Sequence, residues 1–228
     1  MNIRSDFGNA MKALIQLLRC VKEQRWIEVL ESQYETWIHT GDASSHRSLY
    51  GGMGSFNDFS LSQSNLQLSE EQEPFADQLF NDLKTLCYIF STGKSFTRGE
   101  VEAQLETVNS NLQGWRCRRC GHAEVTLKEK DAFLAYRLVR QAILDAVVEG
   151  SLPQCVERLL SLQIPGLKNA RNECSGQIRR SQINIVRRTG WMQPCPVCQS
   201  NQTCVYRWIQ MDGEEFLPAQ DNLRMISQ

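Results

Sequence analysis

The sequence predicts a mainly α protein in two parts: a helical domain over residues 1–95, and a helical domain over 96–228 that carries a small β element. Three observations predict it. Apolar residues recur at helical spacing through most of the chain. Two Cys-x-x-Cys pairs bracket much of the second half, and a β-branched and aromatic run over 203–211 lies just behind the second pair. At 228 residues, 41% hydrophobic and 22% charged, the composition is that of an ordinary globular protein, and the length suits two domains of normal size.

In chain order, Met11, Leu14, Ile15, Leu18 and Val21 form one helical stripe. Trp26, Ile27, Leu30, Tyr34, Trp37 and Ile38 form a second, with Gly41 where a helix would stop. These predict two amphipathic helices packed as a hairpin. A third helix is expected from Pro74, behind the acidic run 70–73 that suits a helix N-terminus, with Phe75, Leu79, Leu83, Leu86 and Phe90 inward and Gly93 past its end. Residues 92–98 read as a link and 100–112 as a short helix. Thr126-x-x-Glu129 and Ser151-x-x-Gln154 both have the capping-box form. They open helices that end at Gly150 and at the Pro165-Gly166 break. A further helix is expected over 167–188, presenting Leu167, Ala170, Cys174, Ile178 and Ile185, and 203–211 reads as a strand.

The pairs Cys117-Arg-Arg-Cys120 and Cys195-Pro-Val-Cys198 resemble zinc-ribbon knuckles. Paired thiolates at that spacing suit one structural Zn2+ held tetrahedrally by Cys117, Cys120, Cys195 and Cys198. Gly121 permits the tight turn of the first knuckle, and Pro194 and Pro196 stiffen the second. The 74 residues between Cys120 and Cys195 exceed what one hairpin needs, so a helical insertion into the ribbon is expected. Closure entropy grows only logarithmically with loop length, so the insertion does not forbid the site. His122 and Cys204 are the nearest substitute ligands. The chain has nine cysteines, an odd number, and Lys12, Gln16 and Arg19 interrupt its first apolar stretch, which argues against an export signal or a membrane span. A cytoplasmic protein with reduced thiols follows. Cys20, Cys87, Cys155 and Cys174 fall in helical apolar patterns and read as core.

Residues 1–95 carry eight Lys/Arg against twelve Asp/Glu, and residues 96–228 carry seventeen against fourteen, so only the second half leans basic. Lys168, Arg171, Arg179, Arg180, Arg187 and Arg188 face a single acid, Glu173, and Arg116, Arg118 and Arg119 crowd the first knuckle. On one helix at about 100° per residue these charges spread around the axis, as on a solvated helix. The alternative is a nucleic-acid-binding regulator that meets phosphate with Arg118, Arg119, Arg179 and Arg180.

The stretch between the second and third helices is long enough to carry function or short structure of its own. Gly51, Gly52 and Gly54 lack the Gly-Lys-Ser/Thr of a P-loop, so nucleotide binding is unsupported. His39, Asp42, Ser44, His46, Ser48, Asn57 and Asp58 are residue types that turns favour for conformation alone, which favours binding over catalysis. The run 49–58, Leu-Tyr-Gly-Gly-Met-Gly-Ser-Phe-Asn-Asp, follows a helix with Trp37 and resembles the signature of an uncharacterised bacterial family of small helical proteins associated with toxin–immunity gene neighbourhoods. The resemblance covers about residues 10–95. It implies a bacterial source and a role in binding a protein partner, as an immunity-type inhibitor does, and brings no activity or ligand with it. Tyr50, Met53, Phe56, Asn57 and Phe59 are the contact residues this suggests, since aromatic and Met side chains make good anchors. The competing reading is that Phe56 and Phe59 pin the loop onto its own helices.

Overall fold

The computed structural model describes residues 3–52, 55–61, 68–105, 110–188, 193–210 and 215–219. The chain divides into two units: residues 1–106 with 138–164, and residues 107–137 with 165–228. Residues 138–164, which the sequence reading grouped with the C-terminal half, pack in the first unit.

The first unit is helical. Helix α1 (Ile3–Cys20) buries Met11, Leu14 and Leu18 completely, with Ile15 nearly so, and its apolar stripe packs against α2 (Gln24–Thr40), α4 (Glu73–Ser91) and α7 (Leu152–Leu160). Between α2 and α4 lies a short helix, α3 (Ser44–Ser48). In α2 the stripe is buried at Trp26, Ile27 and Leu30 but reaches solvent by Ile38, which is 42% exposed. The helix stops at Gly41, which takes the left-handed φ of 74° and donates its amide to Trp37 O at 2.7 Å. Helix α4 has Pro74 in its first turn and sends Phe75, Leu79, Leu83, Leu86 and Phe90 inward. A short α5 (Arg98–Gln104) opens on a complete capping box, with Thr97 and Glu100 each bonded to the other's amide.

The second unit is organised by a five-stranded sheet in the order β3-β2-β1-β4-β5, with strands β1 (Leu112–Cys117), β2 (Ala123–Thr126), β3 (Ile183–Val186), β4 (Thr203–Gln210) and β5 (Phe216–Pro218). The pairs β1–β2, β1–β4 and β4–β5 are antiparallel; β2–β3 is parallel. Parallel neighbours need a crossover, and here α6 (Leu127–Glu149), α7 and α8 (Leu167–Arg180) supply it. On one face, Leu112, Tyr206, Trp208, Val125 and Ile183 are buried. There the Phe133 ring of α6 meets Phe216 at 5.3 Å, and Gln210 donates to Gln177 Oε1 of α8 at 2.7 Å.

A mainly α fold with a small β element is therefore not what the chain adopts. Helix accounts for 57% of the described structure, but the mixed sheet is the scaffold of the second unit, and the protein is mixed α/β. The helix expected over 167–188 ends at Arg180. Gln182, at a φ of 61°, turns the chain into β3, whose Ile183 and Ile185 alternate with Asn184 at the two-residue period of a strand. The helices expected between the cysteine pairs are present, and they form the crossover of the parallel β2–β3 pair. Among the described residues no helix is long and apolar enough to cross a membrane.

Candidate metal centre

Strand register brings the two cysteine pairs together. Cys117 is the last residue of β1 and stands opposite Thr203, the first of β4, so the turn after β1 and the segment before β4 lie at the same end of the sheet. Each pair closes the same turn. The Cys117 amide donates to His122 O at 2.8 Å and the Gly121 amide returns to Cys117 O at 2.9 Å. In the second knuckle the Cys195 amide donates to Ser200 O at 2.9 Å, and the Gln199 amide returns to Cys195 O at 2.9 Å. The residue after the second cysteine is left-handed in both, Gly121 at 76° and Gln199 at 55°. Glycine meets that demand without strain in the first knuckle, as its sequence suggests, whereas Gln199 meets it as a side-chain-bearing residue.

The four sulfurs converge. Cys117 Sγ lies 3.6 Å from Cys198 Sγ, Cys120 Sγ lies 3.6 Å from Cys195 Sγ, and all four fall within 4.8 Å of one another. A disulfide would bring two sulfurs to about 2.05 Å, and all four cysteines are free thiols. Metal–thiolate bonds of about 2.3 Å in a tetrahedron place sulfurs about 3.8 Å apart, so the observed spacing fits one ion among four ligands. Cys117 and Cys195 are fully buried beside Trp115, Cys198 is partly buried, and Cys120 faces solvent. The backbone prepares thiolate character. The Cys120 amide, and then the Arg119 amide and neighbouring thiols, outweigh burial and hold the Cys117 thiol down to about 6. At Cys120 the His122 amide pulls the thiol down, but burial and the three surrounding thiols prevail and push it up to about 12. Four cysteines could thus hold a metal ion here with every tetrahedral position filled by protein.

The substitutes are otherwise engaged. His122 Nε2 lies 2.8 Å from Glu124 Oε1, and Arg188 donates to the other Glu124 oxygen. Glu124 is thereby buried on β2 with both oxygens partnered. Cys204 donates its thiol to Arg116 O at 3.6 Å. Of the four cysteines read as core, Cys87, Cys155 and Cys174 are buried, and Cys20 is exposed at the end of α1.

The loop residues of the first unit mostly face inward. Phe56 is 0% exposed and packs against Trp26, Tyr50 and Phe80; Phe59 lies beside Trp26, Phe56 and Phe80. Tyr50 donates its hydroxyl to Lys84 O at 2.9 Å. Asn57 is exposed and donates to Tyr50 O at 3.1 Å, and Met53 lies outside the described residues. Sequence reasoning missed the polar chain behind this loop. His46, 1% exposed, sets Nδ1 3.1 Å from Gln33 Oε1 and Nε2 3.1 Å from the Tyr50 hydroxyl. The four-residue spacing of His46 and Tyr50 was its only signal. A groove of about 530 Å³ beside α1 and α2 is lined by charged groups already engaged, with Arg19 paired to Glu31 at 2.5 Å and Gln16 bonded to Glu157 at 2.7 Å.

Arg118 and Arg119, on the first knuckle, and Arg179 and Arg180, in the last turn of α8, are all exposed. Residues 19–69 match a family model described as a domain of unknown function, DUF6966, a span that covers α2, α3 and the 49–58 run. Neither a curated protein nor a solved structure matches the chain.

Proposed function

We propose that this protein is a zinc-stapled binding module that presents a surface to a partner and turns over no substrate. One observation carries the reading: four free cysteines from two matching knuckles stand at the spacing of a tetrahedral site. Four soft thiolates in that geometry favour zinc, and a site closed by protein on all sides has no position for water or substrate. Reduced thiols at such a site suit a reducing compartment such as the cytoplasm. Metal analysis of protein purified without added zinc tests this. About one zinc per chain, lost in Cys117→Ser with Cys195→Ser, supports it; stoichiometric iron with thiolate absorption, or no metal at all, overturns it.

A protein partner of the immunity type is a second reading, favoured by the 49–58 run and by the family match through it. Because Tyr50 and Phe56 are engaged internally, Asn57 and the backbone around Gly51 and Gly52 are what the described residues of this run offer a partner. Capture from a bacterial lysate, with and without nuclease, tests it: a stoichiometric protein that survives nuclease and is lost with Asn57→Arg supports this reading, and its absence removes it.

A further inference from the structure

We propose that the knuckle end of the sheet binds the phosphate backbone of nucleic acid, through Arg118, Arg119, Arg179 and Arg180. This rests on the zinc-stapled reading, because the two knuckles form that end. Arg118 and Arg119 sit in the turn between β1 and β2, and the Arg118 amide donates to Gln202 O at 2.7 Å, extending the β1–β4 pairing one residue into the knuckle. Ala123, the first residue of β2, stands opposite Ile183, the first of β3. The two strands are parallel, so the chain enters β3 at the end where it leaves the first knuckle. Arg179 and Arg180 close α8 just before that entry. The sheet order β3-β2-β1 puts the entry to β3, just behind Arg180, two strand spacings or about 10 Å from the end of β1, just before Arg118.

Charge distribution selects the ligand. The four arginines are exposed, and among the described residues none is ion-paired. Three other arginines of this unit are occupied: Arg116 donates to the Tyr206 hydroxyl at 3.0 Å, Arg137 to Gln210 Oε1 at 2.7 Å, and Arg188 to Glu124. Segments 116–122, 179–188 and 193–203 contain no Asp or Glu. Glu124, the second residue of β2, is the acid next to this end, and it is buried and held by His122 and Arg188; Glu129, just after β2, and Glu215, just before β5, lie at the opposite end. Guanidinium forks bind phosphate oxygens bidentately, and the exposed amides of Gln199, Asn201 and Gln202 add neutral donors at the same end. Guanidinium–phosphate contacts carry no base information, so the contact proposed is to the backbone.

The test is fluorescence anisotropy of the full zinc-loaded chain with a mixed-sequence 30-base-pair DNA duplex and a single strand of the same length, from 50 to 200 mM salt. Four phosphate contacts give a log–log slope of about −3.6 on duplex and about −2.8 on the single strand; on duplex this is about a 150-fold loss of affinity across the range. Replacing all four arginines by alanine should weaken binding at least tenfold at 50 mM salt, with zinc content and Tm unchanged. Absent or salt-insensitive binding by zinc-loaded protein overturns the proposal and leaves the zinc reading standing. Undiminished binding by the variant also overturns it, as does binding of poly-glutamate as tightly as duplex, which would mark an acidic protein as the partner. Metal-free protein that binds with the stated slope supports the phosphate surface and overturns the zinc reading instead.

Discussion

Cys117 and Thr203 face each other as the terminal pair of the β1–β4 ladder, and that pairing is what joins two cysteine motifs 78 positions apart in sequence, from Cys117 to Cys195, into one site. Six residue pairs between β1 and β4 and four between β2 and β3 already close the long chain segment between the knuckles. A metal bound at the cluster would fasten an end of a sheet that has its own hydrogen bonds and its own buried face. It would not have to close the loop unaided, so its contribution to this unit falls below the about 10–16 kcal/mol seen where an ion organises an otherwise unfolded peptide.

Removing the staple should therefore loosen the second unit without collapsing the first. For Cys117→Ser with Cys195→Ser, bound metal should be lost and Tm of the second unit should fall by at least about 10 °C, while helical circular dichroism persists through the transition. Differential scanning calorimetry with metal analysis checks this. An unchanged Tm would show that the cluster has no structural role.

Gly114 sets how closely β1 and β2 approach. A Cβ at this position would lie 2.3 Å from Glu124 O and 2.7 Å from Val125 Cγ1, and the nearer atom is backbone of the paired strand. Gly114→Ala should cost about 3 kcal/mol, measured by denaturant unfolding, because the strands must separate to admit the methyl group. A cost under about 0.5 kcal/mol would mean that the sheet yields easily here.

The helices were legible because their signals are local and long. Leu14 and Leu18 lie on one uninterrupted stripe, and Gly41, Gly93 and Gly150 all take the left-handed conformation that ends a helix. The cysteine knuckles were legible for the same reason, since each is a four-residue motif. The sheet was not. Strand β1 contains Gly114, a poor strand former that is needed only because another strand lies against it. Strand β3 hid in a helical pattern because Ile178 and Ile185, seven residues apart, fit a helix as well as a helix followed by a strand. The break falls at Gln182, whose left-handed φ has no sequence signal. Which arginines share an end of the sheet depends on register, which no local pattern encodes.

His46 should make the first unit acid-sensitive. Burial pushes its imidazole down to about 4 from an ordinary 6.5, and its partners are Gln33 and the Tyr50 hydroxyl, with the Phe7 ring 5.4 Å away. Above pH 6.5 it is neutral folded or unfolded, and its full contribution is present. Between pH 6.5 and 4 the unfolded chain takes up a proton that the folded chain refuses, so stability falls as pH falls. From pH 7 to 4.5 the loss from this residue is about 2–3 kcal/mol. Urea unfolding at both values, compared with His46→Gln, isolates it. Equal pH dependence in the two proteins would contradict the assignment.

Two sites of the same capping form should respond differently to the same substitution. At Thr126 the box is closed: the Thr126 amide donates to Glu129 Oε2 at 2.9 Å, the hydroxyl contacts the same carboxylate, and the Glu129 amide reaches Thr126 Oγ1 at 3.3 Å. At Ser151 it is open. The hydroxyl donates to Glu149 Oε2 at 3.1 Å and caps no amide of α7, which starts on Leu152 with Pro153 in its first turn. Proline lacks one of the donors a cap would serve and is already set at a helical φ, so α7 relies less on its cap. Thr126→Ala should cost about 1 kcal/mol and Ser151→Ala less than about 0.5 kcal/mol by chemical denaturation. The reverse order would mean that the serine cap forms in solution and that α7 depends on it.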